Sequence, residues 1–129
     1  MTDQNKTENT IPALEILDQP LDKSFENHPF ELKIDTLEGD ILKMTVSYSG
    51  GCETHDFRLV TSKLYKKSLP PQLSVILIHN NNGDACRELK EEKLLFDISN
   101  ARYPDDKTKE VILLINYGKS SSERISYKY

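Results

Sequence analysis

The chain has 129 residues, 36% hydrophobic and 29% charged, with two Cys, three His, no Trp and a formal net charge of −4. A chain of this size buries roughly two-thirds of its unfolded surface, enough for one self-sufficient core without a dense set of staples. That argues against a multi-domain enzyme and a disulfide-rich scaffold. The longest apolar run, Val111–Ile115, is five residues, against the ~20 needed to cross a bilayer as a helix.

Residues 1–27 read as a polar, partly disordered lead-in. They lack the apolar segment of a secretory signal. Their Thr/Asn/Gln-rich start suits two situations: a frayed cytosolic terminus, or the tether of an exported protein whose signal or lipid anchor lies outside this sequence. Pro12 and Pro20 frame Ala13–Leu17, the only helix-like stretch here, and leave room for one short turn. Charge is uneven: residues 1–40 hold ten acids and three bases, a net of −7, and residues 41–129 hold eleven acids and fourteen bases, a net of +3.

A single domain is expected over residues 28–129. From Phe30 the apolar period becomes two: Phe30, Leu32 and Ile34 alternate with Glu31, Lys33 and Asp35. After the turn Glu38-Gly39-Asp40, Leu42, Met44, Val46 and Tyr48 continue the alternation, which predicts an antiparallel hairpin. Further strands are predicted at Asp56–Ser62, Gln72–His79, Lys93–Ser99, Glu110–Tyr117 and Glu123–Tyr129, making seven. Residues 73–78 and 111–115 are apolar on both alternating faces and are expected at the centre of the core. Strong helix formers after Gly83-Asp84 predict at most a short helical turn near Asp84–Lys90, and Leu94, Phe96 and Ile98 then restore strand alternation. Short strands without long intervening helices predict an all-β, antiparallel immunoglobulin-like β-sandwich.

Arg58, Lys63, Lys66 and Lys67, interleaved with Tyr65, form a small basic cluster. No Arg-rich helix or RNA-binding aromatic motif accompanies it, so it reads as a solvated loop and no nucleic-acid partner is expected.

Chemistry-bearing residues concentrate in two turn-rich segments, 49–57 and 79–86, each with one Cys and one His. Three readings of Cys52, His55, His79 and Cys86 stand side by side. The cysteines form a disulfide closing 35 residues, worth ~3–4 kcal/mol by chain entropy, in an oxidising compartment. Or all four residues hold zinc, with Asp56 and Asp84 as acceptors behind the imidazoles. The spacings Cys-x2-His and His-x6-Cys match no standard structural zinc pattern. Or the thiols are small buried hydrophobes and the histidines serve turns. The same residues contain the types needed for a Cys-His-Asp nucleophile, but no helix N-terminus is predicted at Cys52 to activate it. Residues 80–84 lack the complete calcium-loop pattern. His28 stands apart from both segments in sequence and reads as structural.

The phrases Tyr48–Phe57, His79–Cys86 and Leu95–Ser99, above all Ser-Gly-Gly-Cys-x-x-His-x-Phe, resemble a group of uncharacterised bacterial proteins, several of which look secreted or lipid-anchored. The resemblance spans roughly residues 40–99. It implies an immunoglobulin-like β-sandwich and a structural pairing of Cys52 with Cys86, and it carries no established activity. The expected function is a non-enzymatic module in envelope-associated binding or structure, without a cofactor. The alternatives are a zinc site at the same residues and a Cys/His-dependent enzyme.

Overall fold

The computed structural model describes residues 10–21, 27–118 and 120–129. Among these residues nine strands occur in chain order: β1 (Glu15–Ile16), β2 (Glu31–Glu38), β3 (Ile41–Gly50), β4 (Asp56–Thr61), β5 (Tyr65–Lys66), β6 (Gln72–Asn80), β7 (Glu88–Asp97), β8 (Glu110–Tyr117) and β9 (Ser121–Lys128). Strands β2-β3-β7 make the smaller sheet, and β1-β4-β6-β8-β9 make the larger one with β5 beside β6. Seven of these strands are six residues or longer, as the alternation predicts. The fold is a β-sandwich, and its only helical turn among the described residues is Ser99–Ala101.

The two sheets meet through their period-two faces. Leu42, Met44 and Val46 from β3, with Phe96 from β7, face Leu73, Val75 and Leu77 of β6 and Val111, Leu113 and Ile115 of β8. All are at most 2% exposed. Gly39, with φ near +60°, makes the β2–β3 turn, where Glu38 pairs with Ile41. An irregularity in register between Ile34 and Thr36 resets the phase, so that Leu37 joins Leu32 and Ile34 against the core.

Three expectations change. First, the larger sheet is mixed rather than antiparallel, because β6 and β8 pair in parallel, Leu73 with Leu113 and Val75 with Ile115. The cause is the route of the chain. It leaves β6, runs back along β7 in the other sheet, and so enters β8 in the direction of β6.

Second, no helical turn forms over Asp84–Lys90. Strand β7 begins at Glu88 and pairs with β3 from Gly50↔Glu88 to Ile41↔Asp97. A ten-residue partner strand outweighs the helix propensity of Glu, Leu and Lys. Only the strand period buries Leu94 and Phe96 while leaving Leu89 79% exposed.

Third, Ala13–Leu17 is extended rather than turned. Asp97 N–H donates to Pro12 O and Leu14 N–H to Asp97 O, both at 2.9 Å, while Leu17 N–H donates to Thr61 O at 2.8 Å. Strand β1 pairs in parallel with β4. One short segment therefore touches both sheets, and Leu14, 1% exposed, is part of the core. Of the lead-in expected to be partly disordered over residues 1–27, residues 1–9 and 22–26 lie outside the described residues.

At the end of the sandwich holding the β2–β3 turn, Asp40 accepts from both Arg102 (2.9 and 3.0 Å) and from the Tyr127 hydroxyl. These hydrogen bonds, Tyr127's foremost, hold the Asp40 carboxyl below the usual range. Burial, aided by Asp40, pushes the Tyr127 phenol up to about 12.

Leu14→Ala should lower the unfolding free energy by ~2–5 kcal/mol, as for other large-to-small core changes. Equilibrium denaturation measures this. A change within ~0.5 kcal/mol would show that the lead-in does not belong to the folded unit.

Candidate functional site

At the end opposite Asp40, the chain crosses twice between the sheets: residues 51–55 lead from β3 to β4, and residues 81–87 from β6 to β7. The crossings start and finish in register, since Gly50 pairs with Glu88 in one sheet and Asp56 with Asn80 in the other. Cys52 and Cys86 join them as a disulfide with Cα atoms 5.9 Å apart, within the ordinary range.

Beneath the disulfide lies Asp84, whose side chain is fully buried. Its Oδ2 accepts from the Cys52 and Glu53 amides at 3.2 and 3.1 Å and lies 2.8 Å from His55 Nε2. Its Oδ1 accepts from the Cys86 amide at 3.0 Å. One carboxylate thus grips the backbone of both bridged cysteines. The His55 hydrogen bond, opposed by burial and reinforced by the three amides, holds the Asp84 carboxyl far below the ordinary range.

The chain of contacts continues inward. His55 Nδ1 lies 2.7 Å from His79 Nε2, and His79 Nδ1 lies 3.0 Å from His28 O. A carbonyl only accepts, so His79 Nδ1 donates; a carboxylate only accepts, so His55 Nε2 donates. Burial depresses the basicity of His79. Aromatic rings enclose these groups: Tyr48 stacks on His55 at 4.1 Å and Phe57 on His79 at 4.5 Å between centroids. The Tyr48 hydroxyl donates to Glu92 at 2.8 Å.

The glycines before Cys52 are required by this packing. A Cβ on Gly50 would sit 2.8 Å from both Asp84 Oδ2 and His55 Nε2, and Gly51 holds φ near +114°. In the facing loop, Asn80 and Asn81 spend their Oδ1 atoms on the amides of Asn82 and Gly83, an Asx-turn arrangement that uses the oxygens a calcium loop would need.

The predicted site residues are therefore brought together, but in pairs. Cys52 bonds Cys86, and His55 bonds His79. They do not point at a common centre, and a zinc tetrahedron needs thiolates that the disulfide consumes. Asp84 is a direct partner of His55, whereas Asp56 accepts from Asn82 Nδ2 at 2.9 Å. His28 does not stand apart: its N–H donates to His79 O and its Nδ1 accepts from Asn81 N–H, both at 3.0 Å. Arg58 of the basic cluster is held by Glu15 at 2.6 and 3.1 Å. The reach of Asp84 to both cysteines is not legible in the sequence; the one local mark of it is the Gly-Gly pair beside Cys52, where a Cβ on Gly50 would meet the carboxylate.

No family model and no curated protein matches the chain. Solved structures do. A NigD-like immunity protein from Bacteroides caccae matches with TM-score 0.64 and 15% identity over 92% of this chain and 63% of its own. A protein of unknown function from Bacteroides vulgatus matches with TM-score 0.59 and 17% identity over 92% and 57%. A protein described as a candidate lipoprotein from Bacteroides fragilis matches with TM-score 0.59 and 11% identity over 92% and 71%. At these identities the likeness concerns the fold. The chain spans about three-fifths of the first two. These neighbours agree with the resemblance to uncharacterised bacterial proteins.

Acid should weaken this rim. His79 binds a proton more readily unfolded than folded, so stability falls as pH drops below ~6.5; Asp84 adds a loss below ~4, since its folded form resists protonation. Denaturation midpoints followed from about pH 8 to pH 3 should fall in two stages, and Asp84→Asn should make the second shallower, with Asp40, held low by Tyr127 and Arg102, carrying part of what is left. Gly50→Ala should cost ~1–3 kcal/mol in equilibrium denaturation, as overpacking does.

Proposed function

We propose that the chain is a non-enzymatic β-sandwich module acting outside the cytoplasm, in envelope-associated binding or structure. The observation that carries this reading is the closure of the rim: both sulfurs are bonded to each other, and both nitrogens of His55 and of His79 are engaged in hydrogen bonds. Such a constellation offers no thiolate to attack a substrate and no ring nitrogen to relay a proton to one. Its chemistry is to hold two crossings together. Disulfides persist in exported proteins and are reduced in the cytosol, which favours the exported, lipid-tethered option for the polar lead-in. The candidate lipoprotein among the structural neighbours has the same fold and supports that option.

The segment Ser-Gly-Gly-Cys-x-x-His-x-Phe is, in this reading, the signature of the group. Gly50 admits the Asp84 carboxylate, Gly51 takes the positive φ, Cys52 forms the bridge, His55 joins the hydrogen-bond chain, and Phe57 stacks on His79. The folded unit is one domain over residues 28–129, to which the segment 12–17 contributes Leu14.

A second reading rests on one observation. Cys52 Sγ, Cys86 Sγ and an Asp84 oxygen lie within 4.8 Å of one another. Reduced, they would offer zinc two thiolates and a carboxylate. The redox state of the compartment separates the two readings.

Thiol titration under denaturing, non-reducing conditions should find no free thiol, and Cys52→Ser should lower stability by ~2–5 kcal/mol. Two free thiols with stoichiometric zinc in a native mass spectrum would replace the first reading with the second.

A further inference from the structure

An open sheet ends in strand edges, and each edge presents a row of backbone N–H and C=O groups that a further strand can pair. Here the lead-in closes one side of the sandwich, bonding Asp97 of β7 through Pro12 and Leu14 and Thr61 of β4 through Leu17. The other side is bounded by β2 and β9, the remaining edge strands of the two sheets.

Three of the four edges carry features that deter a further strand. Strand β1 is two residues long. Strand β7 is capped at Asp97 by the lead-in and lined by Lys90, Glu91, Glu92 and Lys93. Strand β2 carries Glu31, Lys33 and Asp35 and shifts register between Ile34 and Thr36. By contrast, the eight residues of β9 pair with β8 without a shift, from Glu110↔Lys128 to Tyr117↔Ser121, and three of them are serines.

The ladder fixes which groups of β9 face outward. Tyr129 N–H donates to Lys109 O at 2.9 Å, so the odd-numbered residues of β9 exchange hydrogen bonds with β8, as antiparallel strands do at every second pair. The N–H and C=O groups of Ser122, Arg124, Ser126 and Lys128 therefore point away from β8, and no described residue pairs with them. Their side chains are exposed on the outer face of the sheet, while Ile125 and Tyr127 turn to the core.

A second copy of this strand, turned about a twofold axis, fits the edge in one register. Ser122 then faces Lys128 and Arg124 faces Ser126, each pair occurring twice, which supplies about eight hydrogen bonds. Sliding one copy by two residues sets Arg124 against its own copy in one direction and against Lys128 in the other, and like charges directly opposite destabilise a sheet. Larger slides lose half of the facing pairs. In the matched register Arg124 lies over Ser126 of the second copy, whose hydroxyl donates to Glu110. Arg124 forms no ion pair with any described residue of its own chain, and the Glu110 carboxylate of the second copy gives it one. On the core side Ile125 meets its own copy across the axis and Glu123 faces Tyr127.

We propose that β9 pairs antiparallel with β9 of a second copy of this chain in this register, joining the two larger sheets into one. The assembly is separate from the redox state of the rim.

Sedimentation equilibrium of the full chain should show a monomer–dimer equilibrium. Amide hydrogen exchange at high concentration should slow at Ser122, Arg124, Ser126 and Lys128 relative to the dilute chain, whereas the odd-numbered amides of β9 are protected in both. Arg124→Glu should raise the dimer Kd about tenfold or more, and adding Glu110→Arg, which restores opposite charges across the seam, should bring it back to within about threefold of the native value. Ser126→Pro removes an N–H that points away from β8, so it should abolish the dimer with little change in the denaturation midpoint. If that variant fails to fold, the charge pair decides.

A monomer at every concentration up to about 1 mM would overturn the proposal. So would a dimer whose slowed amides lie on β2 or β7, an Arg124→Glu dimer as tight as the native one, a charge swap that restores nothing, or a folded Ser126→Pro chain that still dimerises.

Discussion

The burial of one carboxylate between two chain crossings is the constraint on which the rest of the structure depends. Taking Asp84 out of water is costly unless its oxygens are satisfied. Here three amides and an imidazole satisfy them. Three of these four partners belong to the crossing that follows β3, and the fourth is the Cys86 amide, two residues on in the crossing that precedes β7. The carboxylate therefore fixes the separation of the sheets at this end, and the disulfide fixes the same crossings covalently. The two devices act on different states. The bridge restricts the unfolded chain, whereas the carboxylate and its histidine chain act only when the sandwich has formed.

The other end is tied by different means. Asp40, in the turn between β2 and β3, is gripped by Arg102 and Tyr127, which come from the connection after β7 and from the last strand. The turn of the smaller sheet is thereby locked to the C-terminal strand of the larger one. Between these ends, Leu14 and its neighbours bridge the sheets along one side. One of the two edge strands of the smaller sheet, β7, carries Lys90, Glu91, Glu92 and Lys93, a charge pattern that discourages edge-to-edge association. The outcome is a module tied at one end by a disulfide over a buried carboxylate and at the other by Asp40 with Arg102 and Tyr127.

The alternation of Leu42, Met44 and Val46, and of Leu94, Phe96 and Ile98, was readable because a half-buried strand repeats every two residues whatever its partner. The doubly apolar runs 73–78 and 111–115 were readable as central strands for the same reason, and they are β6 and β8. Their parallel pairing was not readable, since direction depends on how many crossings intervene rather than on either strand. Residues 84–90 misled because Glu, Leu and Lys favour a helix locally, and only the presence of β3 alongside makes an edge strand the better use of their backbone. The place of His28 is not legible in the sequence, because distance along the chain does not fix distance in space. It enters the network through hydrogen bonds spanning more than fifty residues.

By itself the sequence determined an all-β chain of about seven strands, with two cysteine-and-histidine turns set where strands end, because periodicity and turn chemistry are local properties. Tertiary structure alone decided that those turns lie side by side, that the sulfurs join rather than ligate, and that Asp84 supports both cysteines. These depend on strand order and on contacts between residues far apart in the chain, and no local pattern encodes which distant carboxylate will fill the space that a glycine leaves.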